Sequence, residues 1–98
     1  MILIKIHKNP NGEIVAMCDS DLVGRRFESK DLRIDISERF YKGIEIEDKA
    51  ELLKLIKESR NLNIVGKESV DFAMKNNVID RTNIIKIKKI PYAIKIML

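Results

Sequence analysis

Apolar and polar residues alternate over Ile2 to His7 and again over Glu13 to Cys18, the period of two expected of β-strands. Lys8-Asn9-Pro10-Asn11-Gly12 separates the two runs. An Asn-Gly pair in such a place is a strong hairpin signal, because both residues tolerate positive φ. Ile2, Ile4, Ile6, Val15 and Met17 make one apolar face, and Leu3, Ile14 and Ala16 make the other. Both strands are therefore predicted inside a sheet whose second face is only partly covered. Asp19 to Gly24 reads as one helical turn, with Asp19 or Ser20 capping its start and Gly24 giving a left-handed exit. Leu32, Ile34 and Ile36 alternate with Arg33, Asp35 and Ser37, a strand wet on one face. Phe40 and Tyr41 follow, and then Ile44 and Ile46 alternate with Glu45 and Glu47 in a short strand.

The clearest helix runs from Lys49 to Arg60. Asp48 followed three residues later by Glu51 resembles a capping box, and Leu52, Leu53 and Ile56 form the apolar stripe. Leu62 to Val65 is a short strand ending at Gly66. Lys67 to Asn76 is a second helix burying Val70, Ala73 and Met74, with Asn76 or Asn77 as its C-terminal cap. Ile84 to Ile90 and Tyr92 to Leu98 read as two strands split at Pro91, which lacks an amide donor for the ladder. Strands and helices are interspersed without strict βαβ repetition. The expected fold is one α+β domain spanning residues 1–98, a two-layer sandwich of a mostly antiparallel or mixed sheet with two helices packed on one face.

Composition narrows the chemistry. One cysteine, Cys18, cannot form an internal disulfide, and one His with one Cys cannot build the usual four-ligand zinc site. No apolar run approaches a membrane span, and Lys5 interrupts the N-terminal apolar run well short of a signal sequence. The chain is expected to be cytoplasmic, with no membrane partner and no cofactor. Seventeen Ile, thirteen Lys and no Gln make a thermophile-like composition, against which seven Asn weigh.

Charge is distributed unevenly. Residues 1–80 hold 14 Lys and Arg against 15 Asp and Glu, whereas residues 81–98 hold Arg81, Lys86, Lys88, Lys89 and Lys95 with no acid. The net charge of +4 thus belongs to the C-terminal segment.

The run Cys18-Asp19-Ser20-Asp21-Leu22-Val23-Gly24-Arg25-Arg26-Phe27, with Arg39-Phe40-Tyr41-Lys42-Gly43 and Asn63-Ile64-Val65-Gly66 opening a helix, resembles the archaeal family named domain of unknown function 424. The resemblance covers nearly the whole chain. Toward its end the family pattern runs Gly-Val-Pro-His-Ala-Gln, while this chain reads Lys89-Ile90-Pro91-Tyr92-Ala93-Ile94. Tyr92 stands where the imidazole would be, so no role can rest on that ring. The resemblance implies an archaeal cytoplasmic protein with a two-layer α+β fold, and no activity.

Three sets of residues carry candidate chemistry. His7 and Cys18 are the one nucleophile-and-base pair, but they are not direct neighbours in either hairpin register. A loop of Asn9 to Gly12 pairs His7 with Ile14, and a two-residue Asn11-Gly12 loop pairs it with Ala16. Asp19 and Asp21 could act as an acid pair or hold a hard cation, but capping a helical turn accounts for them fully and no third acidic ligand stands nearby. Gly66-Lys67 offers backbone amides and a cation to an anion, though Glu68 and Asp71 would repel phosphate. Nothing converges on an acid–base, nucleophile or metal site, so a non-enzymatic module is expected.

The basic segment is the main functional hint. Lys86 and Lys88 are predicted to share one strand face, with Lys89 and Lys95 extending it and Arg25 and Arg26 assisting. RNA or a ribonucleoprotein is the expected partner. Lysines on an edge strand also discourage aggregation without any ligand. The alternative is a self-associating module, a homodimer using the apolar face Tyr92, Ile94, Ile96 and Leu98 of the last strand.

Overall fold

The computed structural model describes residues 1–97. Strands β1 (Ile2–Asn9) and β2 (Gly12–Asp19) form the first hairpin, pairing His7 with Ile14 and Leu3 with Cys18. The turn is centred on Pro10 and Asn11 rather than on Asn11-Gly12, because the fixed φ of proline presets the first central position of a turn. Gly12 alone takes positive φ, at 125°. A 3-10 turn (Ser20–Leu22) leads to a separate ribbon of β3 (Arg26–Glu28) and β4 (Arg33–Asp35). Then come α1 (Glu38–Tyr41), β5 (Ile44–Glu45), α2 (Lys49–Glu58), β6 (Asn61–Val65) and α3 (Lys67–Lys75). A second 3-10 turn (Arg81–Asn83) precedes β7 (Ile84–Ile87) and β8 (Ile90–Ile96).

Six strands make one sheet in the order β5-β1-β2-β6-β8-β7. Only β2 and β6 run parallel, so the sheet is mixed and the fold is α+β. The period of two sends Ile4, Val15, Met17, Leu62, Ile64 and Ala93 to one face, where Leu52 and Ile56 of α2 and Val70 and Ala73 of α3 close the core. Fully burying each of the Val, Leu, Ile and Met side chains among these contributes roughly 1.5–3 kcal/mol, and each alanine methyl less. Asp48 caps α2 as expected, its Oδ1 accepting from the amides of Ala50 and Glu51.

The opposite face buries Ala16, Cys18, Val65 and Ile87 beneath Leu22, Ile34, Ile36 and Tyr41. A third helix, α1, lies on this side, capped by Ser37. Its four residues form a single turn, too short for a sequence period to reveal. This cover stops before the end of the sheet. Ile85, Ile94 and Ile96 remain 49%, 39% and 61% exposed.

At two places the structure departs from the sequence expectation in ways that shape the site. Asp19 does not cap its own turn. Its carboxylate reaches the start of α3, accepting from the amides of Glu68 (3.0 Å) and Ser69 (2.8 Å) and from Ser69 Oγ (2.7 Å). Gly66 makes this approach possible: its φ is +109°, and a Cβ there would lie 2.3 Å from Asp19 Cγ.

The last strands are not split at Pro91 either. Ile87 pairs with Ile90 across a two-residue turn of Lys88 and Lys89, and Pro91 sits inside β8 opposite Lys86. Position 91 lies one pair beyond the Ile87–Ile90 pair that closes the turn, and its carbonyl accepts from the Gly66 amide while the Gly66 carbonyl accepts from Val70 of α3.

Candidate functional site

The cations of the final hairpin fall into different environments. Lys86 lies on the helix-bearing side of the sheet, on the face shared by Ile84, while Ile85 and Ile87 point the other way. Lys88 does not share a strand face with Lys86, because it belongs to the turn. Lys88 and Lys89 both have positive φ, 51° and 69°, as a type I′ turn demands. Such turns favour Asn-Gly, since an L-residue with a Cβ is strained there. Two long cationic side chains at these positions run against local preference.

Between α3 and the edge strand β7 runs an open groove of about 640 Å³. Lys67, Arg81, Lys86 and Lys89 rim it, Val70, Met74, Ile84 and Pro91 supply its apolar part, and Asp71 is its one acid. The hydrogen bond from Gly66 to the Pro91 carbonyl fixes the start of α3 beside the hairpin, which brings Lys67 to the lysines twenty residues further along the chain. Arg81 is set by the second 3-10 turn. Asp80 caps that turn through Thr82, and these hydrogen bonds hold its carboxyl below the ordinary value. Among the described residues the ion pairs are Met1 amine–Glu68, Arg26–Asp35 and Lys42–Glu38. None of them engages a cation of the groove.

The other predicted members lie elsewhere. Lys95 shares the helix-bearing side, opposite Leu62, but does not line the groove. Arg25 stacks over the Phe27 ring at 4.9 Å and Arg26 pairs with Asp35 at 3.6 Å, both on the ribbon that covers the opposite face. Arg25 and Arg26 are therefore not brought together with the lysines of the groove. The backbone amides behind Gly66-Lys67 are likewise closed to an outside anion, since the carboxylate of Asp19 already occupies them.

The remaining candidate groups serve the fold. His7 stacks on Phe40 with ring centroids 4.5 Å apart, its Nε2 2.8 Å from the Phe40 carbonyl oxygen. Cys18 is fully buried opposite Leu3, four residues along β1 from His7 and so roughly 13 Å away. Burial, with the charges of Asp19 and Asp21 adding to it, pushes its thiol up to about 12, which leaves no thiolate at neutral pH. Tyr41 and Tyr92 both donate to Asn63 Oδ1, at 3.3 and 3.0 Å, and burial raises both phenols. A further depression of about 740 Å³, at the far end of the strands, carries Glu13 and Glu58 against one Arg60. Among the described residues no cluster of His, Cys, Asp and Glu could hold a metal, and no helix is long and apolar enough to cross a membrane.

The fold resembles the crystal structure of an uncharacterized conserved protein from Methanopyrus kandleri. The TM-score is 0.76 at 22% identity, covering 95% of this chain and 88% of that one. No curated protein matches the sequence. Residues 6–98 match the family described as Protein of unknown function (DUF424), and the chain belongs to that family.

Proposed function

We propose that this protein is a non-enzymatic module that docks on RNA, alone or within a ribonucleoprotein, through the cationic groove between α3 and β7. The observation that carries this reading is the convergence of Lys67, Arg81, Lys86 and Lys89, from separate elements, on one groove without an ion pair to any of them. Phosphate neutralisation with counterion release needs cations that are gathered and free. The turn adds support. Edge protection could be met by lysines within the strand, whereas Lys88 and Lys89 hold positive φ at a cost in backbone strain. Strain kept in a fold is a pointer to function. The test is a gel retardation with structured RNA at low salt, comparing the native chain with a Lys86→Glu, Lys88→Glu, Lys89→Glu triple variant. A complex lost in the variant supports the reading, and one that survives overturns it.

Self-association is a second reading, favoured by the uncovered end of the sheet. Ile94 and Ile96 stand exposed beside the partly buried Ile14, on the face away from the groove. Leu98, expected to extend this patch, lies outside the described residues. The partner would be a second copy placed face to face. β7 flanks β8 only from Ile90 to Ala93, so strand pairing with a second copy is open along Ile94 to Ile96 as well as along β7 itself. The exposed apolar area of Ile85, Ile94 and Ile96 is on the order of 300 Å² per copy, roughly a third of a standard interface side. Weak dimerisation follows, and sedimentation at two protein concentrations tests it: a monomer at both removes this reading.

A further inference from the structure

Resting on the RNA reading above, we infer that the groove takes the paired, duplex form of RNA, held by its phosphate backbone, in preference to a single strand. Two features of the groove point this way. The first is its lining. Single-strand binders combine a basic track with aromatic rings on which successive bases stack. Here the part between the cations is aliphatic and proline, formed by Val70, Met74, Ile84 and Pro91. The rings of the chain are engaged elsewhere. Phe40 stacks on His7, Tyr41 and Tyr92 close on Asn63, Phe27 lies under Arg25, and Phe72 packs against the helix-side core near Lys49. Unstacked bases would find no platform in this groove.

The second feature is where the cations stand. Lys86 and Lys89 border the groove from the hairpin side and Lys67 borders it from α3. Lys88 stands on the adjoining turn. Charges fixed on both walls suit a rigid ligand with ordered phosphates better than a flexible strand. Duplex RNA is recognised mostly by its shape and through phosphate and 2′-hydroxyl contacts, which requires no reading of base edges. Neutralising a phosphate on a duplex also releases more counterion than on a single strand, with salt exponents of about 0.9 per contact for B-form DNA against about 0.7 for single strands, and the duplex figure is taken for paired RNA. With Lys67, Arg81, Lys86, Lys88 and Lys89 all engaged, the difference comes to roughly tenfold in affinity at 0.1 M salt.

The experiment compares a blunt 16-base-pair RNA duplex with each of its separated strands, by fluorescence anisotropy with the full chain in 0.1 M salt. Strands of low self-complementarity avoid hairpins. The inference predicts that the duplex binds about tenfold more tightly, and that a Lys88→Ala, Lys89→Ala variant narrows that ratio. A single strand binding as tightly as the duplex overturns the duplex assignment and leaves the RNA reading standing. Binding of neither at 50 mM salt removes both. The same duplex made of DNA is the third arm. Equal affinity for it would show that general double-strand charge is sensed, and would overturn the RNA form of the assignment.

Discussion

Replacing Lys88-Lys89 by Asn-Gly is expected to move stability and binding in opposite directions. Both residues hold positive φ, 51° and 69°, in the two-residue turn joining β7 to β8. A side chain with a Cβ costs about 1–2 kcal/mol in left-handed backbone, less for Asn, and glycine avoids the clash. Glycine's larger unfolded-state freedom returns roughly 0.5–1 kcal/mol of that gain. The net stabilisation is about 1–1.5 kcal/mol, which in a domain of this size raises Tm by roughly 5–10 °C. The same change removes two cations from the RNA surface. At 0.1 M salt the loss of two phosphate contacts weakens binding by about 60-fold through counterion release alone. Thermal melting followed by circular dichroism and RNA anisotropy on the same preparation read both effects. An unchanged or lower Tm refutes the strain reasoning, and an unchanged affinity refutes the placement of the site.

Asp19→Ala removes three hydrogen bonds at the start of α3 and leaves the buried Ser69 hydroxyl and amide unpartnered, so chemical denaturation should show a loss of about 2–3 kcal/mol. Gly66→Ala should cost a similar amount, about 3 kcal/mol, because it combines strained φ with a collision against the Asp19 carboxylate, and a denaturation midpoint within error of the native one would contradict this. The raised Cys18 thiol predicts a pH effect with a definite sign. Above the ordinary thiol value of about 8.5 the unfolded chain loses its proton while the folded chain keeps it, so stability is full below that pH and falls as the pH rises toward 12. A Cys18→Ala variant should flatten this alkaline decline in urea unfolding midpoints measured from pH 8 to 10. In the native protein at pH 8 the thiol should resist alkylation until urea unfolds the chain.

The elements legible in the sequence were those with a period to display. The alternation in β1 and β2, the stripe of α2 behind Asp48 and the Gly66 break before α3 all lie where the spacing puts them, with α2 ending two residues sooner than expected. Single-turn α1, the three-residue β3 and the 3-10 turn at Arg81 are too short for any period. The turn at Lys88-Lys89 was hidden for a different reason. Its residues contradict turn chemistry, and Pro91 nearby offered a more ordinary breaking point, although β8 runs through it and its carbonyl accepts from the Gly66 amide. The lysines of the hairpin, Arg81 and Lys67 each stood out as charges along the chain. Their convergence was not legible, because it depends on one long-range contact, the Gly66 amide on the Pro91 carbonyl. The same kind of contact took Asp19 away from its own turn to a helix fifty residues on.

On the reading proposed above, cations from α3, the 3-10 turn and the final hairpin act as one RNA surface. The slope of log affinity against log salt tests it most directly, measured for the native chain and for a Lys67→Ala, Arg81→Ala variant. Five phosphate contacts give a slope of about −4.5 on duplex RNA, and losing these two residues brings it to about −2.7. A slope identical in the two proteins would mean that Lys67 and Arg81 never touch the ligand, and the groove would not be the site.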